Sequence, residues 1–412
     1  MRSAEALGKL ERELSLIYRT WAKNKTWLAS AYLNRIKGGN TMDQLLFSKT
    51  EIGPIGLKNR MVMAPMTRSR AIGNIPNALM AEYYAQRAEA GLIITEGTSP
   101  SPNGLGYARI PGMFSSDQIK GWKNVTAAVH DQNGKIFVQL MHTGRISHSA
   151  NMPAKARIMA PSALRPKGQM WTDSLGMQDY PTPTEMTLND INSTKNEFVK
   201  ASQNAIEAGF DGVELHGANG YLLEQFLNPD ANRRTGMYGG SIEHRCWFVL
   251  ETASEVAKAI GKEKTGIRLS PYGAFNDVGP FPETEEEYDY LSEKLNALGI
   301  LYIHLVDHSS MGTPKVELST VQKIRNNFKQ TLILSGGYTR ERAEKDLTSG
   351  LADLIAFGRG FLSNPDFVSR LRNNSELNPI ATDTFYTPGA KGYTDYPSFS
   401  FKKAVDFSMA IA

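Results

Sequence analysis

The sequence predicts a (β/α)8 (TIM) barrel running from residue 42 to the end of the chain, and three observations carry that reading. After Met42 the chain alternates short β-branched runs with longer helical patterns, the signature of βα units around a parallel sheet. Eight such runs can be counted, which suits a closed barrel better than an open sheet. Each run is short and apolar on both faces, as expected where helices cover one side and barrel layers fill the other.

In order, the expected strands are Arg60–Met66, Leu92–Thr98, Lys135–Met141, Asp211–His216, Thr265–Ser270, Leu301–Val306, Thr331–Ser335 and Leu354–Gly358. The helices between them carry their own punctuation. Thr187-Leu-Asn-Asp190 reads as the cap of a helix that reaches Ala208 and stops at Gly209. Thr284-Glu-Glu-Glu287 reads as a second capping box, followed by a buried stripe of Tyr288, Leu291, Leu295 and Leu298 and a left-handed stop at Gly299. Two connections are unusually long: Gly144–Met186, rich in Pro, Ser and Met, and Asn228–Arg245. Both are expected to follow strands and to form lids or binding loops at the catalytic face.

Residues 1–41 form a separate basic segment. Leu7, Leu10, Leu14, Ile17 and Trp21 fall at helical spacing and lay one apolar stripe among cations. A membrane-surface helix and a transit peptide are two readings of such a stripe, although the acidic residues weaken the second. The favoured reading is an upstream extension translated from a misassigned start, because barrel-like sequence begins at Met42.

Composition narrows the function classes. Of 46 Lys and Arg, eight lie in residues 1–41, and of 42 Asp and Glu, three do, which leaves 38 basic against 39 acidic residues in the rest. The barrel therefore shows no electrostatic footprint for nucleic acid. The single cysteine, Cys246, excludes an intramolecular disulfide, an iron–sulfur cluster and a CxxC metal motif, so no metal site is expected. No apolar run approaches the roughly 18 residues that a membrane span needs. A cytoplasmic protein without stable membrane insertion, monomeric or homodimeric, is the expectation.

Five motifs carry chemistry: Asn59-Arg-Met-Val-Met-Ala-Pro-Met-Thr-Arg-Ser-Arg70, Val138-Gln-Leu-Met-His-Thr-Gly-Arg145, Asp211-Gly-Val-Glu-Leu-His-Gly-Ala-Asn-Gly-Tyr-Leu-Leu223, Ile267-Arg-Leu-Ser-Pro-Tyr-Gly273 and Phe357-Gly-Arg359. In the third, His216 and Asn219 can form a small oxyanion hole on one turn, and Tyr221 can present a phenol as general acid. Taken alone, an HxxNxY string is more often a set of polar loop residues. Its place at the end of the fourth strand, with the other motifs in register, reverses that balance. Gly336-Gly337 after strand seven and Gly358-Arg359 after strand eight occupy the positions where barrels form phosphate sites from loop amides. Arg268 would point inward only if strand five has the assumed register.

Together these motifs, running in order to Phe385-Tyr386 and Gly392-Tyr-Thr-Asp-Tyr396, resemble the signatures of the Old Yellow Enzyme family. The likeness is greatest to the bacterial branch that includes N-ethylmaleimide and nitrate-ester reductases. It implies an FMN cofactor, NADPH or NADH as reductant, and reduction of enones, maleimides, nitroalkenes or nitro compounds in a ping-pong cycle through one pocket. By the same resemblance His216 and Asn219 bind the substrate oxygen and Tyr221 protonates. Thr67 bonds the flavin edge, Gln139 holds the pyrimidine portion beside the backbone of Pro65 and Gly97, and Arg268 faces N1/O2. Tyr386 would line the substrate site, and Phe385 belongs to the core. One departure stands out: Met141 occupies a position where the family pattern has tryptophan, which implies a wider or softer pocket. His142 reads as a satisfied structural histidine. The alternatives are a different FMN barrel of the hydroxy-acid oxidase class and a non-catalytic barrel that binds a phosphate ligand; an iron–sulfur dienoyl-CoA reductase needs several cysteines and is excluded by Cys246 standing alone.

Overall fold

The computed structural model describes residues 44–399, so the predicted basic segment 1–41 lies outside the described residues. Eight parallel strands close a barrel: β1 (Met61–Met63), β2 (Leu92–Thr98), β3 (Ile136–Leu140), β4 (Gly212–Gly217), β5 (Thr265–Leu269), β6 (Tyr302–Val306), β7 (Thr331–Ser335) and β8 (Leu354–Phe357). Each pairs with its sequence neighbour and β8 pairs with β1, through Ile355–Met61 to Phe357–Met63. Every expected strand is present, with ends shifted by a few residues. Among the described residues ten helices connect or follow them: α1 (Ala78–Gln86), α2 (Ser116–His130), α3 (Leu188–Glu207), α4 (Leu222–Leu227), α5 (Ile242–Ile260), α6 (Thr284–Leu298), α7 (Leu318–Asn327), α8 (Arg340–Thr348), α9 (Arg359–Ser363) and α10 (Phe367–Arg372).

Two apolar layers hold the barrel. Outward residues such as Ile93, Val138, Leu215, Ile267, Ile303 and Ile355 pack against the helices, while Val62, Ile94, Phe137, Tyr302, Ile333 and Leu354 fill the lower interior. Burying each such side chain contributes about 1.5–3 kcal/mol. Glycine is required where the interior rings lie: a Cβ on Gly212 would come within 2.4 Å of the Phe137 ring, and one on Gly266 within 2.3 Å of Tyr302. The expectation of strands apolar on both faces holds only for this lower half. Toward the C-terminal ends the interior turns polar, with Gln139, Glu214, His216, Arg268 and His304 all buried. That change of polarity marks the functional end.

Most helix signals are realised. Thr187 and Asp190 form a capping box at the start of α3, and Gly209 follows its end with φ 89°. Gly299 stops α6 in the left-handed region at φ 69°. The second capping box is not formed. Thr284 is the first residue of α6 rather than its cap, and its hydroxyl bonds back to the Phe281 carbonyl at 2.7 Å. Glu287 turns inward instead, where the Arg245 guanidinium meets it at 2.6 Å. A buried arginine outcompetes a local cap because its other partner, Glu283 at 2.8 Å, is largely exposed, and Glu287 is the carboxylate buried beside it.

Of the two long connections, Gly144–Met186 follows β3 and carries an antiparallel hairpin, Gln169–Thr172 with Gly176–Asp179. Asn228–Arg245 does not follow a strand directly. It comes after α4 and runs into α5, and its Arg233 and Arg234 bond to Ser162, Pro161 and Met186. This second loop buttresses the first and contributes no wall to the cavity described next.

Candidate active site

The chain leaves β4 through a turn in which Asn219 and Gly220 both take positive φ, 60° and 75°. Asparagine tolerates that conformation better than other side-chain-bearing residues, and at Gly220 a Cβ would lie 2.6 Å from the Phe275 carbonyl. Three contacts fix the turn. Asn219 N donates to Ser270 Oγ at 2.9 Å, Ser270 Oγ donates to Glu224 Oε1 at 2.7 Å, and Gly220 N donates to Glu224 Oε2. The result brings His216, Asn219 and Tyr221 onto one wall of a cavity of about 820 Å³ at the C-terminal mouth of the barrel.

His216 is buried, its Nδ1 has no hydrogen-bond partner among the described residues, and its ring meets Tyr221 edge-on at 4.9 Å. Burial, and then the neighbouring Arg268, His304 and His308, hold its pKa well below the usual histidine range. The imidazole is therefore neutral at pH 7, able to donate one N–H without carrying charge. Tyr221 donates its hydroxyl to Tyr107 at 3.1 Å. Burial raises the Tyr221 pKa, and the Tyr107 hydrogen bond opposes that rise. This phenol keeps its proton at neutral pH.

The cavity floor comes from β3, β4 and β5. Gln139 Nε2 donates to Glu214 Oε1 at 2.8 Å, and Glu214 Oε2 meets His304 Nδ1 at 2.9 Å. Register pairs His216 with Arg268, so the guanidinium points inward, as the sequence required. Among the described residues no protein group hydrogen-bonds Arg268; its Nε is buried without a partner, and burial lowers its pKa against the opposing pull of Glu214. Pro65, Thr67 and Gly97 border the same floor. Met141 is buried against Leu105 and Ile110, and its Sδ would stand 2.5 Å from a Cβ on Gly97.

The roof is built largely from the long connection after β3 that the sequence marked as a lid or binding loop, through residues it did not single out. Met170, Trp171 and Asp173 of the hairpin, with Tyr107 and Tyr180, line the cavity. Arg109 clasps three of its parts, bonding Asp173, the Ser69 carbonyl at 3.0 Å and the Tyr386 carbonyl at 2.8 Å. Tyr386 lines the cavity while remaining 61% exposed. Its segment is tied down by Arg70, which reaches the carbonyls of Thr384 at 2.8 Å and Phe385 at 2.6 Å. Arg68 adds a bond to Gly392 at 2.7 Å. Phe385 is only partly buried, with Arg68 over its ring at 6.0 Å. A signal for Tyr107 was available, since an aromatic residue in the glycine-rich stretch Gly104-Leu-Gly-Tyr-Ala108 follows a barrel strand.

Four predicted residues stand apart from this cavity. Gly336 and Gly337, at φ 119° and 59°, follow β7, and Gly358 and Arg359 begin α9 after β8; none of them is among the cavity walls. A Cβ on Gly336 would fall 1.9 Å from the Asp307 carbonyl, so backbone packing alone demands that glycine. Arg359 is exposed and, among the described residues, makes no hydrogen bond or ion pair. His142 differs from expectation. Its Nδ1 accepts from Gly144 N at 3.1 Å but its Nε2 is buried without a partner among the described residues, and burial pushes its pKa down to about 3.

A profile of the NADH:flavin oxidoreductase / NADH oxidase family matches residues 45–378. The chain belongs to that family, the Old Yellow Enzymes. As a member it is a flavin oxidoreductase that uses FMN with NADPH or NADH as reductant. This Old Yellow Enzyme is 40% identical over 375 residues to 12-oxophytodienoate reductase 7 of Oryza sativa subsp. japonica, covering 85% of this chain and 94% of that one. It is 39% identical to a probable flavin mononucleotide-dependent alkene reductase of Leishmania infantum, over 84% and 95% of the two chains. Among solved structures it resembles morphinone reductase in complex with tetrahydroNAD, with a TM-score of 0.82, 39% identity and coverage of 86% and 97%. The Old Yellow Enzyme homologue from Zymomonas mobilis gives a TM-score of 0.81 at 39% identity, over 85% and 99%.

The residues present fit FMN. A buried guanidinium with no hydrogen bond from the protein among the described residues, beside a glutamine amide and a threonine hydroxyl, suits a flat heteroaromatic whose edge accepts hydrogen bonds.

Proposed function

We propose that this enzyme is an ene-reductase, reducing the C=C bond of electron-poor alkenes such as enones, maleimides and nitroalkenes, and nitro compounds, in a ping-pong cycle. The observation that carries the reading is the convergence of two neutral donors and a protonated phenol on one wall of the cavity that Arg268 floors. The names of relatives agree in kind: an alkene reductase and reductases of an unsaturated oxo compound.

FMN, when bound, would supply hydride-transfer chemistry between the reduced nicotinamide and the alkene β-carbon. Pro65, Thr67, Gly97 and Gln139 would hold its ring edge, with Arg268 at its electron-rich side. Its phosphate would reach beyond the cavity walls to the loops after β7 and β8, where Gly336, Gly337, Gly358 and Arg359 are the candidates to receive it. His216 and Asn219 grip the carbonyl or nitro oxygen, where each donor is worth about 2.7–4 kcal/mol as negative charge develops. A neutral imidazole serves this better than a cation because it polarises the oxygen without giving up its proton. Tyr221 delivers a proton to the α-carbon, and Tyr107 steadies the phenolate left behind. Met141 and Tyr386 shape the space for the rest of the substrate.

The test is anaerobic. Purified holoenzyme should lose its yellow colour on adding NADPH or NADH and regain it when cyclohexenone follows. A preparation that bleaches but stays colourless with cyclohexenone, N-ethylmaleimide and nitrostyrene alike would overturn the assignment.

A further inference from the structure

Asn219 can stabilise an oxyanion only if its side chain presents the NH2 group, and not the oxygen, to the cavity. A primary amide is nearly symmetric in shape, so packing does not choose between the two faces. The backbone of Asn219 is already fixed by Ser270 and by Asn276, whose Nδ2 donates to the Asn219 carbonyl at 2.7 Å. What remains free is the amide itself.

One side chain addresses it. His308, in the loop that leaves β6, places its Nε2 2.7 Å from Asn219 Oδ1. Its ring rests edge-on against Phe275 at 4.6 Å, which fixes the direction of the imidazole. His308 is not among the cavity walls, so it reaches substrate only through Asn219. We propose that His308 is a positioning residue: its Nε2–H donates to Asn219 Oδ1, locking the amide with its NH2 toward the substrate oxygen. This rests on the reading of Asn219 as an oxyanion donor.

The surroundings support that assignment. Burial first, then Arg268 and His304, push the His308 pKa down to about 3 against the opposing pull of Asp307. The imidazole is thus neutral with a single N–H, and a hydrogen on Nε2 is the tautomer that makes the 2.7 Å contact with Asn219 Oδ1 a hydrogen bond. An amide whose oxygen accepts a hydrogen bond is polarised and becomes a better donor through its nitrogen. The contact therefore both orients Asn219 and strengthens it.

Three holoenzyme variants test the proposal: His308→Phe, which keeps the ring against Phe275 and removes the donor; His308→Gln, which restores a donor; and Asn219→Ala. The readouts are the rate at which cyclohexenone reoxidises the reduced enzyme and the Kd for para-hydroxybenzaldehyde, whose oxygen stands in for the substrate carbonyl. Histidine-15N NMR of the wild-type protein reports which ring nitrogen of His308 is protonated. Expected are about a 10-fold loss of rate and affinity in His308→Phe, the size of one hydrogen bond, and recovery to within about 3-fold in His308→Gln. No further loss should appear when His308→Phe is added to Asn219→Ala, and Nε2 should carry the proton. Wild-type behaviour of His308→Phe beside an impaired Asn219→Ala, additive losses in the double variant, or a bare Nε2 would overturn the role of His308. An unimpaired Asn219→Ala would overturn the oxyanion role of Asn219 itself, and the proposal with it.

Discussion

The hydroxyls of Tyr107 and Tyr221 lie 3.1 Å apart, with their rings edge-on at 6.1 Å, although 114 residues separate them in the chain. Tyr107 is thus the group that shares the proton of the general acid. A phenolate forming on Tyr221 would accept a hydrogen bond from Tyr107, which is why that contact lowers the Tyr221 pKa against the effect of burial. Tyr107→Phe should therefore raise the Tyr221 pKa and slow alkene reduction by about 10-fold, a fraction of the full general-acid effect. The alkaline fall in the rate of reoxidation should also move to higher pH. Stopped-flow reoxidation measured across pH checks both.

The Arg268 guanidinium is a buried cation with no hydrogen bond from the protein among the described residues. Glu214 pulls on this charge without hydrogen-bonding it, and a buried charge whose hydrogen bonds are unmade destabilises the protein that holds it unless a ligand supplies the missing partner. Arg268→Met should leave the flavin-free protein at least as stable as the wild type in urea, and yet weaken FMN binding by about 10-fold or more, as loss of a charge-assisted bond implies. Denaturation of the apoprotein beside an FMN titration measures the two opposite signs.

The barrel was legible in the sequence because its strands are short β-branched runs separated by capped helices, and the eight of them appear where alternation placed them. The wall of His216, Asn219 and Tyr221 was legible because one turn carries all three. What the sequence hid are contacts made across the fold. Arg109 meets Asp173 and Tyr386 from distant segments, and no local pattern announces a three-way clasp. Glu287 fits a capping box in sequence and is claimed in space by Arg245, which is a case of tertiary pairing overriding a local preference. His308 was missed for the same reason, since its significance lies entirely in the asparagine it reaches.

Glu224 links the turn to the rest of the site, and its carboxyl is raised to about 7 from 4.5 by burial, with Ser270, Gly220 and Tyr288 opposing the shift. The folded protein therefore keeps this proton where the unfolded chain has lost it. The associated stability is fully present below pH 4.5 and is lost as pH rises to about 7. Glu224→Gln cannot titrate, so its stability relative to wild type should improve across that interval by on the order of 3 kcal/mol and then level off. Urea denaturation at a series of pH values gives the slope, whatever constant offset the lost carboxylate oxygen adds.

Met141 lies buried between Gly97, Leu105 and Ile110. Met141→Trp places a larger, stiffer side chain at the edge of the cavity, at a packing cost of about 1–3 kcal/mol. The variant should lose kcat/KM for bulky ring-substituted enones by about 10-fold relative to cyclohexenone, in line with the value of a methylene or two of lost space. A steady-state comparison of the two substrate sizes in both proteins checks it.

In the proposed cycle the phenol of Tyr221 acts as the acid for the alkene and takes no part when the nicotinamide is oxidised. Stopped-flow study of Tyr221→Phe separates the two halves of the cycle. The rate of flavin reduction by NADPH should stay within about 2-fold of wild type, while reoxidation by cyclohexenone should slow by about 100-fold or more. Equal losses in both halves, or unimpaired reoxidation, would contradict it.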